Sequence, residues 1–275
     1  MSDSVSERPR VPEEGFLNAI LEHYGYDFNQ YHQEMVGRQI GHCLQRMGLT
    51  TQEQLLEKLL SDATIFQAFL GRLSVSVSTM FRDPEIYNVV RRLVLPRLAT
   101  YPRIRIWTAG IANGQEVYSL AILLWEAGLY QRSTIYATDL NATLVRQAQR
   151  GRFPLERMAE FTRNYWMSGG REEFSRYYVT TQEACHIIPA LKQNIVFSTH
   201  NLAMDWVFNE FQWIVCRNVI IYFNQELTER VLQLFNGSLS EQGMLWLGSK
   251  ERIRFYRHGC YFEPMGEEKS IFYKR

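Results

Sequence analysis

The sequence predicts an α/β protein with a doubly wound parallel sheet, preceded by a small all-helical domain. From residue 104 onward, short apolar runs alternate with amphipathic helical runs, as in a parallel sheet that is covered on both faces. Before residue 73 the apolar residues recur only at helical spacing. The alternation stops between about 154 and 194, where charged helical turns and a short β-like piece predict an inserted subdomain.

The helical domain is expected to span 13–85, after a polar N-terminal tail, 1–12, that is expected to be disordered. Gly48 can end one helix as a C-cap, and Thr51 can begin the next, with Gln54 at the capping-box position. The apolar residues at helical spacing are Phe16, Ile20, Leu21 and Tyr24, then Val36, Ile40, Cys43, Leu44 and Met47.

Asp83 and Pro84 follow a Ser-rich stretch and are typical of an N-cap and a first helical residue. They predict a linker helix over 86–103, after which the α/β domain is expected to cover 104–275. Its strands are predicted at 104–109, 134–138, 195–199, 212–216 and 243–248, and its helices at 115–128, 141–150 and 225–239. Two strand-like pieces in the tail, YFEP and KSIFYKR, predict an antiparallel hairpin at the sheet edge.

Composition excludes several classes of protein. The net charge of +1 gives no overall bias toward nucleic acid, and no apolar run is long enough to span or insert into a bilayer. The four cysteines, Cys43, Cys185, Cys216 and Cys260, lie far apart without a CxxC pair. Reduced thiols in a cytoplasmic protein are therefore expected, rather than a disulfide framework or a zinc site. The six histidines show no HExxH spacing, so no metal site is predicted.

A glycine turn after the first predicted strand is the main sign of a ligand site. Gly110 and Gly114 lie between that strand and a helix that carries Glu116 in its first turn, and Asp139 ends the next strand. Such a turn beside a strand-end acid predicts a nucleotide-sized pocket in which Asp139 accepts hydrogen bonds from ribose hydroxyls. Each residue also has an alternative, ordinary structural role. The glycines can simply form a tight turn, and Glu116 can complement the helix dipole. Asp139 can share the N-cap of the next helix with Asn141.

Arg217 and Asn218 follow the strand FQWIVC, at the kind of strand end where open α/β sheets bind ligands. The alternative is a satisfied polar pair that braces a loop. Tyr222, in the following VIIYF, is a candidate lining residue for a reaction site, or else a core aromatic residue. The chain has neither a GxSxG elbow nor a phosphate-binding GxxxxGK[ST] loop.

These motifs, in this order, resemble the chemotaxis receptor methyltransferase family (CheR-type). Its members transfer a methyl group from S-adenosylmethionine (SAM) to glutamate side chains of chemoreceptors. The resemblance covers about 15–275 and is carried by SVSTMFRDP (76–84), IRIWTAGIANGQEVYSLA (104–121), IYATDLN (135–141), the Asn-Leu pair of FSTHNL, CRNVIIYF (216–223) and GMLWLGSKE (243–251).

The resemblance implies a SAM-dependent methyltransferase-like, Rossmann-type sheet with a small β-subdomain, and a cytoplasmic enzyme that acts on the cytoplasmic helices of methyl-accepting chemoreceptors. S-adenosylhomocysteine (SAH) would be the product. The implied cofactor-binding residues are Ser76, Ser78, Arg82, Gly110, Glu116, Asp139, Asn201, Leu202, Arg217 and Asn218, with Asn201 and Leu202 beside the adenine. The implied catalytic residues are Arg82, Arg217 and Tyr222.

Departures from the family pattern occur in the cofactor-binding motifs and in a segment that would meet the receptor. Ser76 and Ser78 replace the more usual Asn and Thr, and the glycine loop reads IANGQE. The loop VTTQEAC (179–185), which would correspond to a site for a receptor's C-terminal pentapeptide, is short and has no glycine. The sequence therefore does not favour pentapeptide tethering.

Two other functions remain open at this level. One is a non-catalytic SAM-binding regulatory or adaptor module of a signalling array. The other is a nicotinamide-dependent oxidoreductase, which the missing GxGxxG motif disfavours. A methyltransferase acting on glutamate would need no general base, because a glutamate of pKa about 4.3 is already ionised at neutral pH.

Overall fold

A seven-stranded mixed sheet organises most of this chain. The computed structural model describes residues 11–73 and 78–275. They fall into two units: the described residues before 74 together with Tyr222–Arg230, and the remainder of the chain. Residues 78–85 belong to the second unit, which corrects the sequence-based boundary at 85. The reason is that Met80 and Phe81 are fully buried in the hydrophobic core of the second unit.

The first unit is helical, as predicted. Its helices are α1 (Phe16–Tyr24), α2 (Gln33–Met47), α3 (Gln52–Ser61) and α4 (Ala63–Leu73). Thr51 and Gln54 form the expected capping box at the start of α3, and Gly48 ends α2 with a φ of 64°. Tyr31 forms an isolated antiparallel bridge with Phe223.

The predicted linker helix over 86–103 is instead part of the core of the second unit. It consists of α5 (Pro84–Val89), a π-helical turn and α6 (Leu95–Leu98). Tyr87, Val90 and Leu98 are fully buried there. A linker would leave such apolar residues in contact with water, whereas here they pack beneath the sheet and stabilise it.

The sheet confirms the predicted α/β architecture. Its strands are β1 (Ile104–Ala109), β2 (Ser133–Asp139), β6 (Ile195–Thr199), β7 (Phe211–Cys216), β8 (Leu239–Leu247), β9 (Phe262–Pro264) and β10 (Ile271–Lys274), and the intervening helices are α7 (Gln115–Glu126), α8 (Ala142–Arg150) and α10 (Gln225–Ser238). The strand order is β6-β2-β1-β7-β8-β10-β9. The first five strands in that order are parallel, and β9 and β10 form the predicted antiparallel hairpin at the edge.

The inserted subdomain has its own small sheet. Its elements are β3 (Arg152–Pro154), α9 (Met158–Met167), β4 (Tyr178–Thr180) and β5 (Ala184–Ile187), with the antiparallel order β3-β5-β4. The insertion therefore begins at 152, two residues before the predicted position. In the described part of the chain, no helix is long and apolar enough to cross a bilayer.

The topology fixes where a ligand can bind. β1 pairs with β2 on one side and with β7 on the other. The chain winds in opposite directions from β1 toward these two neighbours, and this reversal opens a crevice beyond their carboxyl ends.

Candidate functional site

Four neighbouring parallel strands place polar residues at one edge of the sheet. Asp139 ends β2, Gly110 directly follows β1, Arg217 directly follows β7, and Glu251 lies four residues beyond β8. The order β2-β1-β7-β8 brings these strand ends side by side. The sequence predicted the first three of these residues and missed the fourth.

The turn after β1 is held tightly to β2. The backbone N–H groups of Gly110 and Ile111 donate to the carbonyl of Thr138, at 2.8 and 3.2 Å. Gly110 has a φ of 76°, and a Cβ atom there would lie 2.4 Å from Cγ2 of Val219. Glycine is therefore required at this position by both the backbone conformation and the adjacent side chain.

Asp139 braces the same turn with its carboxylate. Oδ2 accepts from the N–H of Ala112 and Oδ1 from the N–H of Asn141, both at 2.9 Å. The predicted shared N-cap is wrong: Asn141 alone caps α8, accepting from the N–H of Thr143 at 2.8 Å. Burial raises the pKa of Asp139, although its backbone hydrogen bonds act in the opposite direction. Since a carboxylate can accept about four hydrogen bonds, Asp139 has capacity left for a ligand.

The buried side chain of Arg217 lies at the centre of a charge cluster. Its Nη1 donates to Oε1 of Glu116 at 2.5 Å, and its Nη2 donates to Oδ2 of Asp83 at 2.7 Å and to the carbonyl of Arg82 at 3.1 Å. The guanidinium also lies over the Trp246 ring, 4.5 Å from the centroid. Burial alone would lower the pKa of Arg217, but Glu116, followed by Tyr87 and Asp83, raises it above its ordinary value.

The Arg217 cluster changes two interpretations made from the sequence. Asp83 precedes α5 but makes no capping hydrogen bond, because its φ of 55° turns the backbone away and its carboxylate pairs with Arg217. Only 1% of the Arg217 side chain is exposed, so its contacts at this edge of the sheet are with protein groups rather than with solvent. Glu116 is in the first turn of α7, as predicted, and it binds the guanidinium across the β1–β7 boundary.

Glu251 is the residue that sequence reasoning missed. Its carboxylate accepts from four backbone N–H groups, those of Gly248, Asn218, Val219 and Ile221, at 2.5–3.3 Å. Asn218 has a φ of 61°, so this network holds an unusual backbone turn immediately after Arg217. An available sign was its place as an acid shortly after a predicted strand, at the end of GMLWLGSKE.

The remaining predicted site residues are distributed as follows. Asn201 directly follows His200, whose N–H donates to the Asp139 carbonyl at 3.1 Å, and the neighbouring Leu202 is buried. The carbonyl of Ser78 accepts from Arg157 at 3.2 Å. Ser76 lies outside the described residues. Tyr222 belongs to the first unit, where its carbonyl accepts from the N–H of His32 at 2.9 Å.

The chemistry of the strand edge fits a cationic ligand that also carries hydroxyl groups. Asp83 and Glu116 both pair with the one guanidinium of Arg217. Asn113, in the turn after β1, and Gln115, the first residue of α7, have side-chain oxygens that are buried without a hydrogen-bond partner among the described residues. Such acceptors suit an ammonium group or hydroxyls, and they do not suit a phosphate.

The fold and this strand edge define a Rossmann-type α/β protein whose site suits a nucleoside with a positively charged substituent. Comparison with known families makes the class specific. Residues 76–270 match the CheR methyltransferase SAM-binding domain, and residues 14–74 match the CheR methyltransferase all-alpha domain. The chain belongs to the CheR methyltransferase family, and its larger unit is a SAM-binding methyltransferase domain.

Curated relatives agree with this membership. "Putative methyltransferase Cher3" of Pseudomonas putida is 42% identical over 258 residues, which are 94% of each chain. A chemotaxis protein methyltransferase of Listeria innocua is 28% identical over 86% of this chain and 88% of its own. Among solved structures, magnesium protoporphyrin IX methyltransferase of Synechocystis with bound SAH is 15% identical over 68% of this chain and 59% of its own, with a TM-score of 0.36. That last likeness is too distant to support a conclusion.

Proposed function

We propose that this protein methylates glutamate side chains in the cytoplasmic helices of chemoreceptors. The observation that carries the proposal is the strand edge itself, where Asp139, the glycine turn and the Glu116–Arg217–Asp83 cluster lie at adjoining strand ends. Relatives whose printed name is chemotaxis protein methyltransferase supply the substrate class.

The chemistry asks little of the protein beyond alignment. When bound, SAM supplies a methyl group activated by a positively charged sulfur. A substrate glutamate, with a pKa of about 4.3, arrives as a carboxylate, so no residue has to remove a proton. The protein must orient the attacking oxygen and exclude water from it.

Within the SAM-binding unit, Asp139 is proposed to accept hydrogen bonds from the ribose hydroxyls, with Asn201 and Leu202 beside the adenine. Glu116 and the unpartnered oxygens of the glycine turn would receive the aminoacyl part. Because Arg217 makes hydrogen bonds to two carboxylates and a carbonyl, we propose that it organises the site. The family resemblance assigns Arg82, which directly precedes Asp83 of this cluster, the role of attracting the acidic substrate. Tyr222 belongs to the first unit and takes no part in this assignment.

The proposal is tested by transferring labelled methyl from SAM to membranes that contain chemoreceptors, with and without the purified protein. We expect label on the receptor band that is released by mild base, as a methyl ester would be. At limiting SAM, Asp139→Asn should lower the signal about 10- to 100-fold, whereas Glu210→Gln, which changes an exposed carboxylate of the same unit, should not.

Two results would contradict the proposal. Base-stable label would indicate transfer to nitrogen or to another acceptor. Binding of SAH without any transfer to receptor membranes would instead support the non-catalytic adaptor alternative.

A further inference from the structure

A short segment of the second unit, 78–83, brings Arg82 and Asp83 to the strand edge in a strained conformation. Phe81 has a φ of 52° and Asp83 a φ of 55°, so residues with left-handed backbone lie on both sides of Arg82. Such conformations are unfavourable for residues other than glycine, and they persist only where surrounding contacts enforce them.

The core supplies part of that enforcement. The N–H of Phe81 donates to Oγ of Ser119 at 2.9 Å, and the carbonyl of Arg82 accepts from Arg217. The buried Phe81 ring packs against Tyr87 of α5, at a centroid distance of 5.2 Å. Its second ring contact, with Tyr165 at 5.4 Å, comes from α9 of the inserted subdomain. These contacts fix the middle of the segment and its C-terminal end.

The inserted subdomain supplies the rest. Nδ2 of Asn164, on α9, donates to the carbonyl of Met80 at 3.1 Å and to Oγ1 of Thr79 at 3.4 Å. Arg157, which directly precedes α9, donates to the carbonyl of Ser78 at 3.2 Å. The N-terminal half of the segment is thus held by side chains of an element that contributes none of the strand-edge residues.

The helix α9 is anchored independently of Asn164. The hydroxyl of Tyr165 donates to Oε1 of Glu126 at the end of α7, and the hydroxyl of Tyr177 donates to the same oxygen at 3.0 Å. Arg91 donates to the other oxygen of Glu126 at 2.6 Å. The subdomain can therefore keep its place when the Asn164 contacts are removed.

We propose that Asn164 is a positioning residue of the methyl-transfer site: its amide holds the Thr79 hydroxyl and the Met80 carbonyl so that Arg82 is presented to the acidic substrate. The inserted subdomain then contributes to catalysis through this segment. The role of Arg82 rests on the proposed function, but the conformational role of Asn164 does not.

The conformational part is tested by hydrogen–deuterium exchange of the ligand-free protein. Asn164→Ala should speed exchange at the amides of residues 79–83 by about fivefold to tenfold, since two hydrogen bonds to the segment are lost. Thr162→Ala is the matched control on the same helix, because among residues 11–73 and 78–275 the partner of the Thr162 hydroxyl is the Met158 carbonyl of that helix. Equal exchange over 79–83 in the two variants would overturn the proposal.

The catalytic part is tested by a double-mutant cycle on kcat. Asn164→Ala should lower kcat about tenfold while the dissociation constant for SAH changes less than twofold, because a displaced Arg82 affects orientation most strongly. In an Arg82→Ala background the same change should have no further effect on kcat. An additive loss would assign Asn164 a general structural role and contradict the proposal.

The two measurements separate this inference from the proposed function. If the unaltered protein transfers no methyl group to receptors, the proposed function fails while the exchange result still decides the role of Asn164. If transfer is observed and the exchange result is negative, only the inference fails.

Discussion

Two buried carboxylates lie at opposite sides of the strand edge, and they behave differently. Asp139, at the end of β2, accepts two backbone hydrogen bonds. Glu251, beyond β8, accepts four. Burial raises the pKa of both groups above the ordinary value. Burial and a raised pKa therefore do not distinguish a ligand-binding acid from a structural one.

The useful distinction is the remaining hydrogen-bonding capacity. The four N–H groups around Glu251 saturate its two oxygens, and the residues that donate them belong to the loops after β7 and β8. Asp139 accepts fewer backbone hydrogen bonds, so part of its acceptor capacity remains for a ligand. We therefore expect Glu251 to contribute stability and Asp139 to contribute affinity.

The largest expected effect is on stability, from Glu251→Gln. The substitution leaves one acceptor oxygen for four N–H donors and points an NH2 group at some of them. We expect the free energy of unfolding to fall by about 3–5 kcal/mol, as measured by urea denaturation. The exposed control Glu210→Gln should change it by less than about 0.5 kcal/mol. A comparably small loss in Glu251→Gln would mean that the four hydrogen bonds do not hold the loop.

Gly110 connects the two regions, because it follows β1 beside the Asp139 turn and contacts Val219 in the Glu251 loop. We expect Gly110→Ala to cost about 2–4 kcal/mol of stability, from left-handed strain and from the displaced Val219 side chain. Gly128→Ala is the matched control, since Gly128 also has a positive φ, 69°, but has open space around it. If thermal denaturation shows equal losses of stability for Gly110→Ala and Gly128→Ala, the Val219 side chain moves aside without a loss of stability, contrary to this prediction.

The next effect is on binding, from Asp139→Asn. If Asp139 accepts hydrogen bonds from ribose hydroxyls, the dissociation constant for SAH should rise about 10- to 100-fold, or about 1–3 kcal/mol. The free energy of unfolding should fall less than in Glu251→Gln, because fewer N–H donors lose their partner. Calorimetric titration with SAH measures the first quantity. Unchanged affinity would remove Asp139 from the ribose site.

The smallest expected effect is a pH dependence. The folded-state pKa of Asp139 is raised above 3.8, so the folded protein holds this proton more tightly than the unfolded chain does. Its contribution to stability is therefore fully present below 3.8 and is lost as pH rises through the raised value. We expect the stability of the unaltered protein relative to Asp139→Asn to grow on acidification, while its affinity for SAH falls.

Parallel trends in these two quantities would contradict the assignment of Asp139. Unfolding free energies and SAH dissociation constants measured at the same series of pH values provide the comparison. Glu251→Gln should show the same sign for stability, since the pKa of Glu251 is also raised by burial, above 4.5.

Local patterns in the sequence predicted much of the fold. The capping box at Thr51 and Gln54, the alternation of strands and helices and the glycine turn after β1 depend on residues close together in the chain. The prediction of a linker helix over 86–103 was wrong, because helical periodicity does not reveal which element covers an apolar face of the helix. In the structure, Tyr87 and Val90 of this helix are buried in the core of the second unit, together with side chains from the sheet.

The sequence by itself determined the fold class, the strand edge that carries the site and the family to which the chain belongs. Only the tertiary structure decided what each polar residue does there. Asp83 pairs with Arg217 across 134 positions of sequence, and Glu251 binds the N–H of Asn218 across 33. These pairings exist because parallel strands bring distant chain segments to one edge of a sheet, where a buried charge requires partners that no local pattern can supply.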